Sequence, residues 1–184
     1  VEESIDCLSG KGAQDLMDVT YRLASWMLVA AGKARGPDEA LQLCEAAVTE
    51  GRAMELFRRN VRTQGGDLAR MDELYGKHRS SYSFELRSPA SGFITDLDAY
   101  KIGLAGVYLG VGRNTVSDPV YPDVGFIFER KTGDAVSPGD LVATVFGKDE
   151  ASLTAARPLV EESLNVDLKS PPPKKLILEE LSAL

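Results

Sequence analysis

The sequence is poor in the side chains that carry most enzyme chemistry. Its 184 residues include one histidine, one tryptophan and two cysteines. The histidine, His78, lies between Lys77 and Arg79, and a lone histidine in such a polar stretch is typical of a surface residue. The cysteines, Cys7 and Cys44, form no CxxC motif, so the sequence predicts neither a zinc site nor a disulfide framework. This cysteine usage suits a reducing compartment, so we expect a cytoplasmic protein.

Basic residues and long apolar runs are also scarce. Lys and Arg number 21 against 28 Asp and Glu, which gives a net charge of -7. This acidic balance argues against nucleic-acid binding, because a protein that binds the phosphate backbone needs a basic surface. No apolar run reaches the ~18 residues of a membrane-spanning helix. We therefore expect neither a nucleic acid nor a membrane as a partner.

Helical patterns fill the first part of the chain, residues 1–76. Apolar residues recur at helical spacing, and glycines end the segments, as Gly51 does after the third predicted helix. The helix predicted over residues 15–31 is apolar on most of its circumference, so we expect it to be buried. Val1 already lies in a helical pattern with no capping residue before it, so we expect a piece of a longer chain.

Strand patterns dominate the second part of the chain, residues 77–184, together with two predicted helices. Alternating or β-rich segments predict strands at 82–87, 93–95, 124–130 and 141–146, and an added edge strand at 176–178. The two helices are predicted over 99–109 and after the capping residue Asp149, with Pro158 expected to kink or shorten the second one. The predicted fold class is thus α/β to α+β, with domains at 1–76 and 77–184.

A glycine-rich run, Gly110-Val-Gly112-Arg113, follows the helix predicted over 99–109. No strand precedes it, so it does not match a dinucleotide-binding fingerprint. Two interpretations stay open: a flexible loop at a helix end, or a loop that meets a ligand or another domain. The acidic clusters of the chain are interpreted as solvated surface, because paired carboxylates alone do not make an acid–base site.

Short segments along nearly the whole chain resemble motifs of one family, in the same order. Residues 1–16 are similar to LEVxEAIxxLxGxGPxDL, 26–33 to HMLxLAGKA, 51–57 to NGKAxExF, 64–67 to QGGD, and 110–141 to GAGRxxxxDxIDxxVGxxxxxKxGDxVxxGxPL. Together these segments resemble the pyrimidine-nucleoside phosphorylases, a family that includes the thymidine phosphorylases.

The resemblance implies a reaction and an architecture. In the parent enzyme, a pentosyltransferase, phosphate attacks C1′ of a pyrimidine nucleoside and gives the base and a pentose 1-phosphate. Phosphate is then the co-substrate, no organic cofactor is required, and the parent is a homodimer. Residues 1–76 would be the helical part of a large α/β domain, and 77–184 a C-terminal hybrid β-sandwich (barrel-sandwich) with helices.

The family's catalytic motifs have no counterpart in this sequence. The phosphate loop, KHSTGG, and the Arg, Ser and Lys that bind the base lie upstream of the matched segments in the family. Phosphorolysis needs a cradle of N–H groups and cations for the phosphate and donors for the departing base. We therefore assign no catalytic or substrate-binding residue to this chain, and we expect it to be inactive without the N-terminal half of the enzyme. The preference for thymidine or uridine stays open.

Two positions take a predicted role from the resemblance. Glu3 matches a family glutamate that helps to hold a monovalent cation, K⁺, whose other ligands lie outside this chain. A cation of this kind requires oxygen ligands. Gly110, Gly112 and Arg113 match a loop that borders the closed cleft, so we predict a contact with the opposite domain on closure.

Two other interpretations remain. Residues 93–95, 124–127 and 133–145 resemble half of a biotinyl or lipoyl carrier domain, although Lys101 and Lys131 lack the flanking residues of a modified lysine. The chain could also be a purely structural module without catalytic function.

Overall fold

The computed structural model describes residues 1–113 and 115–181. The contacts within the chain divide it into two units. Unit 1 contains Val1–Lys77 together with the described residues 175–181, and unit 2 contains His78–Lys174. The domain limits that the sequence predicts, 1–76 and 77–184, stay a prediction. The contacts add that residues 175–181 group with the helical unit.

The described part of unit 1 folds into helices. They are α1 (Glu2–Leu8), α2 (Gln14–Ala30), α3 (Pro37–Thr49), α4 (Arg52–Thr63) and α5 (Leu68–Leu74). Pro37 is the first residue of α3, where its missing N–H costs no hydrogen bond. Gly51 separates α3 from α4 with a left-handed φ of 77°, and the Asp67 side chain caps α5 by accepting from two backbone amides.

The apolar helix α2 is only partly buried. It packs against α3, where Ser25 of α2 and Ala40 of α3 are fully buried. On other sides of α2, however, Leu23 is 63% exposed and Met27 is 72% exposed. The expectation that this helix would be buried is therefore wrong for these two side chains. Apolar composition indicates which side chains favour burial, but not whether a neighbour covers them.

Unit 2 combines two small sheets with two helices. Its elements are β1 (Tyr82–Arg87), β2 (Gly92–Leu97), α6 (Ala99–Leu109), β3 (Gly125–Phe128), β4 (Ala135–Val136), β5 (Leu141–Gly147), α7 (Glu150–Ser163) and β6 (Leu164–Asp167). One sheet has the order β1-β5-β3 and the other β4-β2-β6. All the strand pairs are antiparallel, which makes the observed fold α+β rather than α/β.

The core of unit 2 lies between the sheets and the paired helices α6 and α7. Ile94 of β2, Leu109 of α6, Val145 of β5 and Val160 of α7 are at most 2% exposed. These residues belong to one hydrophobic cluster, so both sheets and both helices are joined by a common core. This shared core fixes the end of α6, where the candidate loop begins.

The structure corrects several details of the sequence-based prediction. The predicted edge strand at 176–178 is wrong, since these residues form no strand. The helix α7 continues through Pro158 to Ser163, so the proline does not shorten it. The strands β4 and β6 were not predicted. The two sheets do not by themselves confirm a barrel-sandwich among the described residues.

None of the described helices is long and apolar enough to cross a membrane.

Candidate functional site

The loop Gly110–Arg113 begins where α6 ends in a Schellman arrangement. The Val111 amide donates to the Gly106 carbonyl at 2.9 Å, and the Gly110 amide donates to the Val107 carbonyl at 3.2 Å. Gly110 has a φ of 104°, a left-handed conformation that favours glycine at this position. The glycine therefore redirects the chain sharply out of the helix and sets the direction of the loop.

Neighbouring side chains also leave no room for a Cβ at position 110, so this position requires a glycine. A Cβ placed there would lie 2.9 Å from Cδ2 of Tyr121 and 3.5 Å from Cδ of Lys148. The Lys148 ammonium lies 5.8 Å from the centre of the Tyr121 ring, within the range of a cation–π contact. The Lys148 amide also donates to the Leu109 carbonyl at 3.2 Å. Sequence reasoning missed Tyr121 and Lys148, because Tyr121 matches no conserved letter of the motif resembled by residues 110–141 and Lys148 lies beyond that segment.

The predicted closure residues differ in their surroundings. Gly110 is buried, Gly112 is half-buried, and Arg113 is exposed. A Cβ at Gly112 would lie 3.3 Å from Cγ2 of Val107, so the loop runs close along α6. The three predicted residues thus lie in one loop, and Arg113, which carries the guanidinium, is the exposed one. Their contact with another domain stays a prediction.

A polar turn follows the loop. The Thr115 amide donates to Oδ2 of Asp118 at 2.9 Å, and the Thr115 hydroxyl donates to Oδ1 of the same carboxylate at 2.6 Å. The Asp118 amide donates back to the Thr115 carbonyl at 3.1 Å. These reciprocal bonds fix the backbone of the turn locally. In sequence, the exposed Arg113 therefore lies between the turn that ends α6 and this polar turn.

The predicted cation ligand, Glu3, is exposed on α1 of unit 1. Its acidic neighbours make local contacts with the end of α5. Oε1 of Glu2 accepts from the Gly76 amide at 2.9 Å, and the Tyr75 hydroxyl donates to Oδ1 of Asp6. The hydrogen bond to Asp6 raises the pKa of Tyr75, because it stabilises the protonated phenol.

The residues present do not form a complete metal site. Within the part of the chain that the structure describes, no group of three or more His, Cys, Asp or Glu side chains could hold a metal ion. One exposed carboxylate is too few ligands for a cation that prefers several oxygens. The cation role of Glu3 stays a prediction, and it needs ligands from elsewhere.

The two lysines considered for a carrier function lie in unsuitable places. Lys101 is in α6, and its Nζ donates to the carbonyl of Glu162 at 3.2 Å. Lys131 lies in the connection between β3 and β4, which belong to different sheets. A carrier lysine needs the tip of a hairpin, and neither position provides one. The carrier-domain alternative is not favoured.

Comparison with known proteins agrees with the resemblance of the motifs. Residues 93–167 match the family model described as "Pyrimidine nucleoside phosphorylase C-terminal domain". The matched segment begins in β2 and ends with the last residue of β6, and its two ends, Phe93 and Asp167, are paired across the sheet. The family match therefore lies entirely within unit 2 and leaves out its first strand, β1.

Curated relatives extend the similarity to most of the chain. A "Pyrimidine-nucleoside phosphorylase" of Staphylococcus haemolyticus (strain JCSC1435) is 33% identical over 173 residues, which cover 94% of this chain and 40% of the relative. One from Staphylococcus aureus (strain USA300) is 35% identical over 145 residues, covering 79% of this chain and 34% of the relative. The chain belongs to the pyrimidine-nucleoside phosphorylase family. It spans about two fifths of the length of the Staphylococcus haemolyticus relative.

Proposed function

We propose that this chain forms the C-terminal part of a pyrimidine-nucleoside phosphorylase, a pentosyltransferase. The observation that carries the proposal is the match of residues 93–167 to the C-terminal domain of that family. The similarity of 94% of the chain to a relative of that name supports the same assignment for the helical unit. In this proposal, unit 2 contributes to the hybrid β-sandwich of the parent enzyme.

The proposed reaction is the reversible phosphorolysis of a pyrimidine nucleoside. A phosphate oxygen forms a bond to C1′, the bond from C1′ to the base nitrogen breaks, and the base takes up a proton as it leaves. The products are the free base and a pentose 1-phosphate. Stabilising the phosphate and the departing base needs preorganised cations and N–H donors. We assign those groups to the part of the enzyme outside this chain.

Within this proposal, the chain provides support and closure rather than chemistry. The loop Gly110–Arg113 carries the exposed Arg113 just after the Schellman hydrogen bonds that end α6, which suits a contact with the opposite domain. Glu3 would add one oxygen to a monovalent-cation site completed by the rest of the enzyme. The parent would act as a homodimer with phosphate as co-substrate.

A hybrid enzyme tests the proposed function. In the Staphylococcus haemolyticus relative, the segment aligned with this chain is replaced by this chain. We expect phosphate-dependent release of thymine from thymidine or uracil from uridine. The unmodified relative serves as the positive control. A folded hybrid without activity would favour the alternative of a purely structural module.

The closure contact predicts the effect of replacing Arg113 in this hybrid enzyme. Arg113→Ala is expected to lower kcat/KM about tenfold, because one hydrogen bond from a charged donor is lost on closure. The matched control is Arg130→Ala, which removes an exposed arginine two residues after β3 and should leave kcat/KM unchanged. Equal kcat/KM values for both variants and the unsubstituted hybrid would contradict a closure role for Arg113.

A further inference from the structure

One carboxylate of the last segment is held by two donors on α2. Oε2 of Glu180 accepts from Nε of Arg22 at 2.7 Å and from the indole Nε1 of Trp26 at 2.7 Å. Arg22 and Trp26 are one helical turn apart, so their side chains lie on the same face of α2. The Arg22 guanidinium also lies 6.0 Å from the centre of the Trp26 ring. We call this pair the Arg22–Trp26 ridge.

The chemistry of the ridge selects an anionic acceptor. A guanidinium and an indole N–H can only donate hydrogen bonds, and their combination with a carboxylate oxygen is charge-assisted. Asp38 is the other acidic side chain paired with Arg22, but it is more distant, at 3.9 Å, and 98% exposed. The Glu180 side chain is 30% exposed, whereas Leu178 and Leu181 beside it are 84% and 86% exposed. Glu180 is thus the anchoring side chain of its segment.

The segment that carries Glu180 has few other attachments. We call residues 175–181 the tail segment. They form neither helix nor strand, and three consecutive prolines, residues 171–173, precede them. No backbone–backbone hydrogen bond joins the tail segment to another described residue. A segment held mainly through one side chain can detach without unfolding the helices beneath it.

We propose that the Arg22–Trp26 ridge is a carboxylate-binding site, and that its occupant is Glu180 of the same chain, which makes the tail segment a detachable strap on α2. The strap returns the chain to the helical unit after the β-rich unit. Its two hydrogen bonds also lower the pKa of Glu180, which keeps the anchor ionised. The inference is independent of the enzymatic proposal, since it concerns contacts within the helical unit.

Two measurements on the full chain report directly whether the strap is attached to α2. Trp26 is the only tryptophan, so emission under tryptophan-selective excitation, which avoids the six tyrosines, reports on the ridge. Lys174 precedes the tail segment and Lys175 is its first residue, so trypsin cleavage after either lysine releases the segment and is followed by intact mass. The test compares Glu180→Ala with its matched control, Glu179→Ala, which removes an equally charged neighbour. Far-UV circular dichroism confirms that both variants keep their helices.

We expect Glu180→Ala to speed tail cleavage about tenfold, because two charge-assisted hydrogen bonds no longer oppose opening. Trp26 emission should move to longer wavelength as the indole becomes more hydrated. Glu179→Ala should behave as the unsubstituted chain. Trp26→Phe should also speed cleavage, since phenylalanine keeps an aromatic ring but lacks the indole N–H donor. Wild-type cleavage and emission in Glu180→Ala, or equal effects of both Ala variants, would overturn the proposal. Emission that varies with protein concentration would also overturn it, because the occupant would then come from a second copy.

Discussion

Replacing Gly92 by Ala is expected to destabilise unit 2 by about 3–5 kcal/mol, the sum of backbone strain and a steric clash. Gly92 begins the central strand β2 with a φ of 151°, a conformation that residues with a Cβ rarely adopt. A Cβ there would lie 2.8 Å from the carbonyl carbon of Asp167 and 3.2 Å from Cγ1 of Val166. Both neighbours belong to β6, so the clash falls on the pairing of β2 with β6. Amide hydrogen exchange of these strands measures the loss.

A matched substitution separates this local clash from a general effect of glycine. Gly103 is an exposed residue in α6, and a Cβ built there meets nothing within 4 Å apart from its chain neighbours and the backbone of its own helix. Gly103→Ala should therefore stabilise unit 2 by about 0.5–1 kcal/mol, because alanine loses less backbone freedom in a helix. If both substitutions shifted hydrogen-exchange protection in the same direction, the packing described for Gly92 would be incorrect.

Truncating Leu109 to Ala is expected to cost about 3 kcal/mol in the stability of unit 2. Leu109 is fully buried at the end of α6, within the hydrophobic cluster that joins both sheets and both helices. Its carbonyl also accepts from the Lys148 amide at the base of the candidate loop. The cavity therefore weakens the support of Gly110 as well as the core. Chemical denaturation followed by far-UV circular dichroism gives the change in unfolding free energy.

The control for this cavity is Leu168→Ala. Leu168 follows β6 and is 82% exposed, so its truncation removes the same atoms without creating a cavity. We expect a change below about 0.5 kcal/mol, as for surface substitutions in general. Comparable losses in the two leucine variants would contradict the assignment of Leu109 to the core.

Local signals allowed much of the secondary structure to be predicted. The strand at 82–87 and the helix at 99–109 agree with β1 and α6 at both ends. Asp149 caps α7 as predicted, and Ser152 completes the capping box. These features depend on side chains within a few residues of each other. They are therefore visible in the sequence.

Features that depend on distant partners were harder to predict. The two-residue strand β4 exists because Ala135 and Val136 pair with β2, which lies about forty residues earlier. Likewise, apolar residues at 176–178 have the composition of a strand but no partner strand among the described residues. Composition gave the wrong result there, because a strand needs a neighbouring edge as well as suitable residues.

The candidate site shows the same limit. The glycines of the Gly110–Arg113 loop were visible as a motif, and the structure explains Gly110 by its φ and by the Tyr121 ring. No sequence signal connects Glu180 to Trp26, because the two residues are 154 positions apart. Contacts between residues so far apart in the sequence arise only when the chain has folded. The strap could therefore be recognised only in the structure.

The most direct test of the proposed function is the rate of phosphate-dependent cleavage of thymidine and uridine. It should be measured for this chain alone and for the hybrid enzyme, at equal molar concentration. The account predicts that the hybrid releases the free base and pentose 1-phosphate, while the chain alone releases neither above background. Phosphorolysis by the chain alone would contradict the account, since it would mean that this chain holds the catalytic groups assigned to the rest of the enzyme.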